Sequence, residues 1–289
     1  MNLKLNNLFT TVGLFLFVFL THAQNGLENI IIEKYYISDA HDTIGSNFSG
    51  KLPIGSITYR IYVDMLPGYE LHTVYGNKNH ELNIKTSTFF FNNTHVGNVI
   101  GNIIPFRNLK QNTVMLDSWL SVGAAGEGFY GVMKQDDDSV GTIIHDSPFL
   151  KNSNPLAGIP LTKRDGLRAA LNVPRPTFYK IDSIANIFHT QNFGSVFSTS
   201  NGAWGCLGGA IGPDSLSTNR LLIAQLTTNG VLSFELNIQV GKPNGKPEKY
   251  VAKNPIDNEI QLPSLIYQSN PEKLTNNKIK KNKYKPKNH

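Results

Sequence analysis

The chain has 289 residues, a formal net charge of +6 and one cysteine, Cys206, so no disulfide can form within it and the fold must rest on a sizeable core. The pI of about 9.2 invites a nucleic-acid or acidic-polymer reading, but the charge is unevenly spread. Lys4 and the C-terminal lysines carry the excess, and residues 24–269 sum to −1, which excludes a body that is itself a polycation.

In chain order, residues 1–23 read as a signal peptide. Lys4 supplies the positive start, residues 8–20 form an apolar stretch shorter than a bilayer span, and Thr21, His22 and Ala23 give small residues three back and one back from a cut before Gln24. The expectation is an exported chain in a periplasmic, cell-surface or extracellular setting. Cys206 lies too far from the cut to carry an N-terminal lipid, and no later segment is apolar enough to span a membrane.

Strand signals follow almost everywhere. Residues 30–37 mix β-branched and aromatic types, and residues 57–64 alternate, with Ile57, Tyr59, Ile61 and Val63 on one face. Residues 71–75 and 82–91 flank a hairpin turn at 76–80, and strands are expected at 113–122, 128–133 and 140–144. Thr162 with Asp165 three residues later reads as a helix N-terminus, continued through Leu167 to Leu171 and stopped by Pro174. The clearest hairpin pairs residues 220–228 with 231–240 through Asn229 and Gly230, a dipeptide that accepts the positive φ of a tight turn. Together these predict an all-β fold, an antiparallel β-sandwich or jelly-roll-like architecture with long loops and at most one or two short helices. The β-rich domain is residues 24–269, and the proline-rich stretch 147–176 is its best crossover between halves. Residues 270–289 are rich in Lys and Asn with Leu274 and Ile279 as the only aliphatics, a composition that predicts a disordered tail.

Assembled chemistry is sparse. The chain has no Gly-x-Ser-x-Gly elbow, His-Glu-x-x-His helix, phosphate loop or paired-cysteine motif. Asp136, Asp137 and Asp138, with Asp146, do not follow the ligand spacing of a calcium loop and read as a solvated acidic hairpin turn. Cys206 with His189 as its base is weighed against a packed thiol, and packing is preferred. His41 between Asp39 and Asp42 reads as a polar loop, and Tyr35, Tyr36, Tyr59, Tyr62, Tyr69 and Tyr75 as core filling. No catalytic residue, metal ligand or cofactor is assigned. In the tail, Lys278, Lys280, Lys281, Lys283, Lys285 and Lys287 could tether the chain electrostatically to an anionic surface polymer or polysaccharide, set against a merely solubilising terminus. A single aromatic there, Tyr284, is too little for a dedicated nucleic-acid binder, so no specific nucleic-acid binding is expected.

One pattern recurs. Asp, then Ser or Thr, then an aliphatic residue occurs at 42–44, 138–140, 182–184 and 214–216. The triplets resemble the O-glycosylation acceptor motif of exported Bacteroidetes proteins, which implies glycans on Thr43, Ser139, Ser183 and Ser215. Ordinary turn formation by Asp and Ser is the alternative.

The stretches GSITYRIYVD at 55–64, LDSWLSVG at 116–123 and NGAW at 201–204 resemble a group of exported Bacteroidetes-type β-rich proteins of unknown function, over about residues 27–269. That resemblance implies no catalytic assignment. The functional expectation is a non-enzymatic surface or extracellular β module that binds a polymer or a surface partner. The alternative is a secreted hydrolase of polysaccharide or protein in which the fold gathers carboxylates such as Asp64, Asp117 and Glu235.

Overall fold

The computed structural model describes residues 25–43, 52–144, 149–190 and 192–270. Residues 1–23, where a signal peptide is expected, Asp146 and the lysine tail lie outside the described residues. Strands dominate: β1 (Leu27–Ile37), β2 (Ile57–Met65), β3 (Glu70–Tyr75), β4 (Leu82–Thr86), β5 (Trp119–Leu120), β6 (Ala124–Gly126), β7 (Phe129–Gly131), β8 (Leu167–Ala169) and β9 (Thr177–Tyr179) fill the first part. They are followed by β10 (Val196–Thr199), β11 (Ala203–Ala210), β12 (Arg220–Thr228), β13 (Leu232–Glu235), β14 (Ile238–Gly241), β15 (Pro247–Val251), β16 (Ile260–Gln261) and β17 (Ile266–Gln268). The helices are single turns, α1 (Phe106–Leu109) and α2 (Asp182–Ala185). The fold is thus all-β, as the sequence predicts, and no helix among the described residues is long and apolar enough to cross a membrane.

The main sheet has the order β1-β2-β12-β5. Opposite it stand a short sheet, β10-β4-β13-β17, and a long sheet, β16-β15-β14-β3-β11-β9, and a three-stranded sheet β6-β7-β8 packs on its other face. Pairing is antiparallel except between β15 and β16. Tyr59, Ile61 and Val63 of β2 share one core with Leu71, Val74 and Trp204 of the long sheet and Ile84, Phe197 and Phe234 of the short one. This is the sandwich interior. The Trp204 indole Nε1–H crosses it to donate to the Ile223 carbonyl at 3.3 Å, which satisfies the ring's polar edge inside an apolar layer.

The expected hairpins are not hairpins. β12 pairs with β2 and β5, whereas β13 pairs with β4 and β17, so Asn229 and Gly230 carry the chain from one sheet to the other. Gly230 is absent from the positive-φ glycines, and what it supplies is room. A Cβ there would meet the hydroxyls of Thr88, Ser87 and Thr86 at 2.6, 2.7 and 2.7 Å. Likewise β3 and β4 lie in different sheets, and the 76–80 turn joins them. The predicted strand 231–240 breaks where buried Asn237 donates to the carbonyls of Tyr75 and His80 and accepts from Ala252 N.

The other face of the main sheet is covered as well. Tyr35, Tyr36, Tyr62 and Leu222 pack there against Leu109, Met115, Leu116, Ile144, Leu150, Leu161 and Leu167, a second core formed under a layer of loops, turns and β8. The alternation of β2 therefore does not separate core from water. Residues 140–144 are turn and coil rather than strand, and of 113–122 only β5 is extended. The helix expected from Thr162 to Leu171 is also overturned: residues 161–163 turn, and Leu167–Ala169 extends as β8 beside β7. Two features stop a helix. Asp165 is 1 % exposed and spends its carboxylate on Ile143 N at 2.6 Å rather than on a cap, and Gly166 sits at φ +65°, where an added Cβ would lie 2.6 Å from Arg60 Nη1.

Arg60 is the centre of this second interface. It has no solvent exposure; Nε donates to Gln225 Oε1 at 2.9 Å, Nη1 to the Gly166 carbonyl at 2.8 Å, and the guanidinium lies 3.6 Å from the Tyr35 ring centre. Gln225 passes the link on through Nε2 to the carbonyls of Met115 and Asp117. Lys134 Nζ donates to the carbonyls of Tyr35 and Ala157, its backbone N–H donates to Glu33 Oε1, and the Tyr35 hydroxyl donates to the Asp165 carbonyl. Asp137 is part of this network rather than of a solvated hairpin turn, being 4 % exposed and accepting from Gly166 N and Ser139 N, whereas Asp138 is exposed and accepts from Val140 N.

Burial shifts the titratable groups. It pushes Glu33 up against the opposing pull of Arg60 and takes Lys134 down to about 8. It also raises Asp165 from 3.8 to about 6, with the Asp137 charge adding to the rise and Ile143 N and Arg60 opposing it. Replacing Arg60 by Met, which strands Gln225 Oε1 and removes the cation beside buried Glu33, is expected to lower stability by about 3 to 5 kcal/mol in denaturant melts. For Asp165 the native state holds a proton that the unfolded chain has released between 3.8 and about 6. Its contribution to stability is therefore full below 3.8 and is lost as pH rises to about 6. Asp165→Asn keeps the acceptor and removes the titration, so melts across that window should show a flatter pH dependence than the parent chain.

Candidate functional site

The residues offered from sequence are not brought together. Asp64 faces Arg220 Nε at 3.4 Å, and Arg220 also binds Asp136. Asp117 is fully buried, accepts from Asn93 N and Asn98 N, and is held well above the usual carboxylate range by that burial. Glu235 pairs with Lys253 at 2.6 Å on the surface. Each carboxylate is engaged by its own partner in a different part of the fold. Cys206 is half-buried on β11 with its thiol raised by burial and the nearby Glu70 charge, the opposite of an activated nucleophile, and His189 contacts Thr190 instead. His41 binds Asp39 while Asp42 is buried and accepts from Asp39 N. Among the described residues no group of three metal-ligating side chains assembles.

The candidate acceptor hydroxyls all lie on surface turns. Thr43 ends a 3-10 turn and donates to the Ala40 carbonyl. Ser139 is exposed at φ +65°, its hydroxyl accepting from Arg164 Nε at 3.0 Å. Ser183 is exposed on α2, and Ser215 sits in the 213–218 turn after Asp214, whose two carboxylate oxygens each lie 2.7 Å from Arg168 Nη1. The aspartates thus organise local turns and leave the hydroxyls within reach of solvent.

What the sequence did not point to is a cleft of about 210 Å³ at one end of the sandwich, where the chain passes between sheets. Ile37, Gly55 and Ile57 from the ends of β1 and β2 form one side, with Tyr59 beneath. Ser87 and Thr88 beyond β4, and Thr228, Asn229, Gly230 and Val231 on the crossing, form another; Asn154 and Leu156 close it from the loop layer, and Ser269 and Asn270 from the end of β17.

A hydroxyl ladder holds the wall in place. Thr228 Oγ1 bonds Thr86 Oγ1 at 2.7 Å and Thr88 Oγ1 at 3.0 Å, Thr88 Oγ1 donates to Asn229 Oδ1 at 2.8 Å, and Ser87 Oγ accepts from Val231 N at 2.8 Å. With Asn229 Oδ1 occupied, the amide end of this exposed side chain is its free-facing donor group. Leu156, 59 % exposed, stands on a proline-led turn capped by Asn154 Oδ1. Among the described residues that line it, none carries a carboxylate, imidazole, ammonium or guanidinium. The lining is neutral hydroxyl and amide over an aliphatic and aromatic floor.

A second, more open depression of about 450 Å³ lies across Leu156 and includes Glu33 and Lys134. Their polar atoms are engaged in the network around Arg60, so that surface is structural. The chain matches no family model, no curated protein and no solved structure.

Intact-mass spectrometry of the chain isolated from its native cells reads the turn hydroxyls directly. Glycans on Thr43, Ser139, Ser183 and Ser215 are expected to add mass above the bare polypeptide, with Ser139→Ala removing one increment. A mass equal to the polypeptide removes these positions as acceptors.

Proposed function

We propose that the chain is an exported, non-enzymatic β module of the Bacteroidetes-type group that binds a polysaccharide in the cleft at the Asn229–Gly230 end. The observation that carries this reading is the neutral lining of that cleft. Sugar rings present hydroxyls that both donate and accept, together with apolar C–H faces. Side-chain hydroxyls and amides answer the first, and Ile57, Val231 and Leu156 answer the second. A cleft of about 210 Å³ takes one ring at a time, which suits a chain passing across the rim of the sandwich. The wall is preorganised by the Thr86, Thr88 and Thr228 ladder, so little side-chain ordering is spent on binding.

The test is a polysaccharide array with the mature chain, followed by titration of the best ligand. Leu156→Arg puts a strongly hydrated charge at the mouth without touching the core, and Asn229→Ala removes the amide donor. Each is expected to weaken binding roughly tenfold, the effect of about 1.4 kcal/mol, with an unchanged melting curve. Absence of binding to every polysaccharide, or equal binding by both variants, overturns the reading.

A further inference from the structure

The hydroxyl ladder of the cleft wall has a direction. A threonine hydroxyl has one proton to give, and that of Thr88 goes to Asn229 Oδ1 at 2.8 Å. In its 3.0 Å bond with Thr228, Thr88 Oγ1 must therefore accept, which uses the Thr228 proton. Thr228 Oγ1 must in turn accept in its 2.7 Å bond with Thr86, and it also accepts from Gly230 N at 2.9 Å. The donors thus run from Thr86 through Thr228 and Thr88 to the Asn229 carbonyl oxygen, each bond polarising the next. What this ladder leaves to a ligand is the Asn229 NH2. Asn154, on the loop side, repeats the pattern: its Oδ1 accepts from Leu156 N at 3.0 Å, which leaves its NH2 as the donor end. Ser87 Oγ accepts from Val231 N, and Ser269 Oγ, clamping the end of β17, accepts from Leu232 N. These side-chain oxygens are taken by the wall, and the groups left over are donors set among Ile57, Val231 and Leu156.

We propose that the cleft recognises the acetamido group of an N-acetylated sugar, the carbonyl oxygen accepting from the side-chain amides of Asn229 and Asn154 and the methyl lying on the apolar part of the lining. This rests on the reading of the cleft as a saccharide site and adds the class of saccharide. A sugar hydroxyl brings a proton that needs an acceptor, and against oxygens already engaged that proton is poorly matched. An acetamido carbonyl brings only lone pairs, which suits a wall whose remaining groups are donors. A carboxylate or sulfate also only accepts, but its full charge would lose hydration with no cation among the described lining residues to replace it. The methyl gains by leaving water against Ile57, Val231 and Leu156.

The experiment titrates the purified chain by calorimetry with an N-acetylglucosamine oligomer, its de-N-acetylated counterpart and a glucose oligomer of the same length. The acetylated oligomer is expected to bind roughly tenfold tighter than either of the others. Asn229→Asp keeps the acceptor for Thr88 and replaces the NH2 by a second oxygen, so it should abolish that preference with an unchanged melting curve. Thr88→Val removes the last link of the ladder and frees Asn229 Oδ1 for the ligand. It should narrow the preference while binding of the glucose oligomer persists. A glucose or de-N-acetylated oligomer bound as tightly as the acetylated one, and weakened by Leu156→Arg, overturns the acetamido assignment and leaves the cleft reading standing. A preference that survives in both Asn229→Asp and Thr88→Val also overturns the assignment, because the acetamido group is then read elsewhere. Absence of binding to these oligomers and to every other polysaccharide overturns the cleft reading and the assignment with it.

Discussion

A guanidinium without access to water must find its partners inside the protein, and the position of Arg60 on β2 imposes that demand on the whole second layer. Its donors reach Gln225 on the neighbouring strand and the Gly166 carbonyl from the loop layer, while Tyr35 stacks against it. Gln225 then fixes the carbonyls that precede β5, and Gly166 fixes the start of β8. Three distant segments are held to one side chain. A sheet face that looked half-polar in sequence becomes an interior, because the Arg60 guanidinium is held by the layer that covers it. The same enclosure displaces the ionisation of Glu33, Lys134 and Asp165.

Sheet crossings, rather than hairpins, determine what lies at the end of the sandwich. A hairpin at Asn229 and Gly230 would have closed β12 against β13 within one sheet. The crossing instead opens a gap between the main and short sheets, and the hydroxyls of Thr86, Ser87 and Thr88 crowd against Gly230 to form its wall. The clamped exit of the chain at Ser269 falls on the opposite lip because β17 pairs with β13, the strand that follows the crossing. Topology thus puts the recess beside the end of the described chain at Asn270.

Charge in this molecule is sorted by place. Ionised groups of the covering layer are spent on holding it down, and pairs such as Arg168 with Asp214 and Arg220 with Asp136 tie its rim. The cleft has none. Under the proposed function this division has a physical sense: a saccharide site gains from donors and acceptors whose geometry is fixed and whose desolvation is cheap.

The all-β class was legible from the sequence alone, because alternation in residues 57–64 and 220–228 and the near-absence of helical periodicity follow from local physics that any strand must obey. Packing of most early tyrosines in the interior was legible for the same reason. Strand partners were not, since Asn229 and Gly230 serve a tight turn or a crossing equally well, and only the long-range pairing of β12 with β2 and of β13 with β4 chose between them. The helix expected at Thr162 failed because Asp165 and Gly166 answer to Ile143 and Arg60, far away in sequence. The cleft left no motif to find. Its serines, threonines and asparagines are common turn residues, and they become a site only where six separate stretches of chain converge. Composition and alternation determined that this chain builds sheets; which sheet each strand joined, and what its ends enclosed, was decided by contacts that no local pattern encodes.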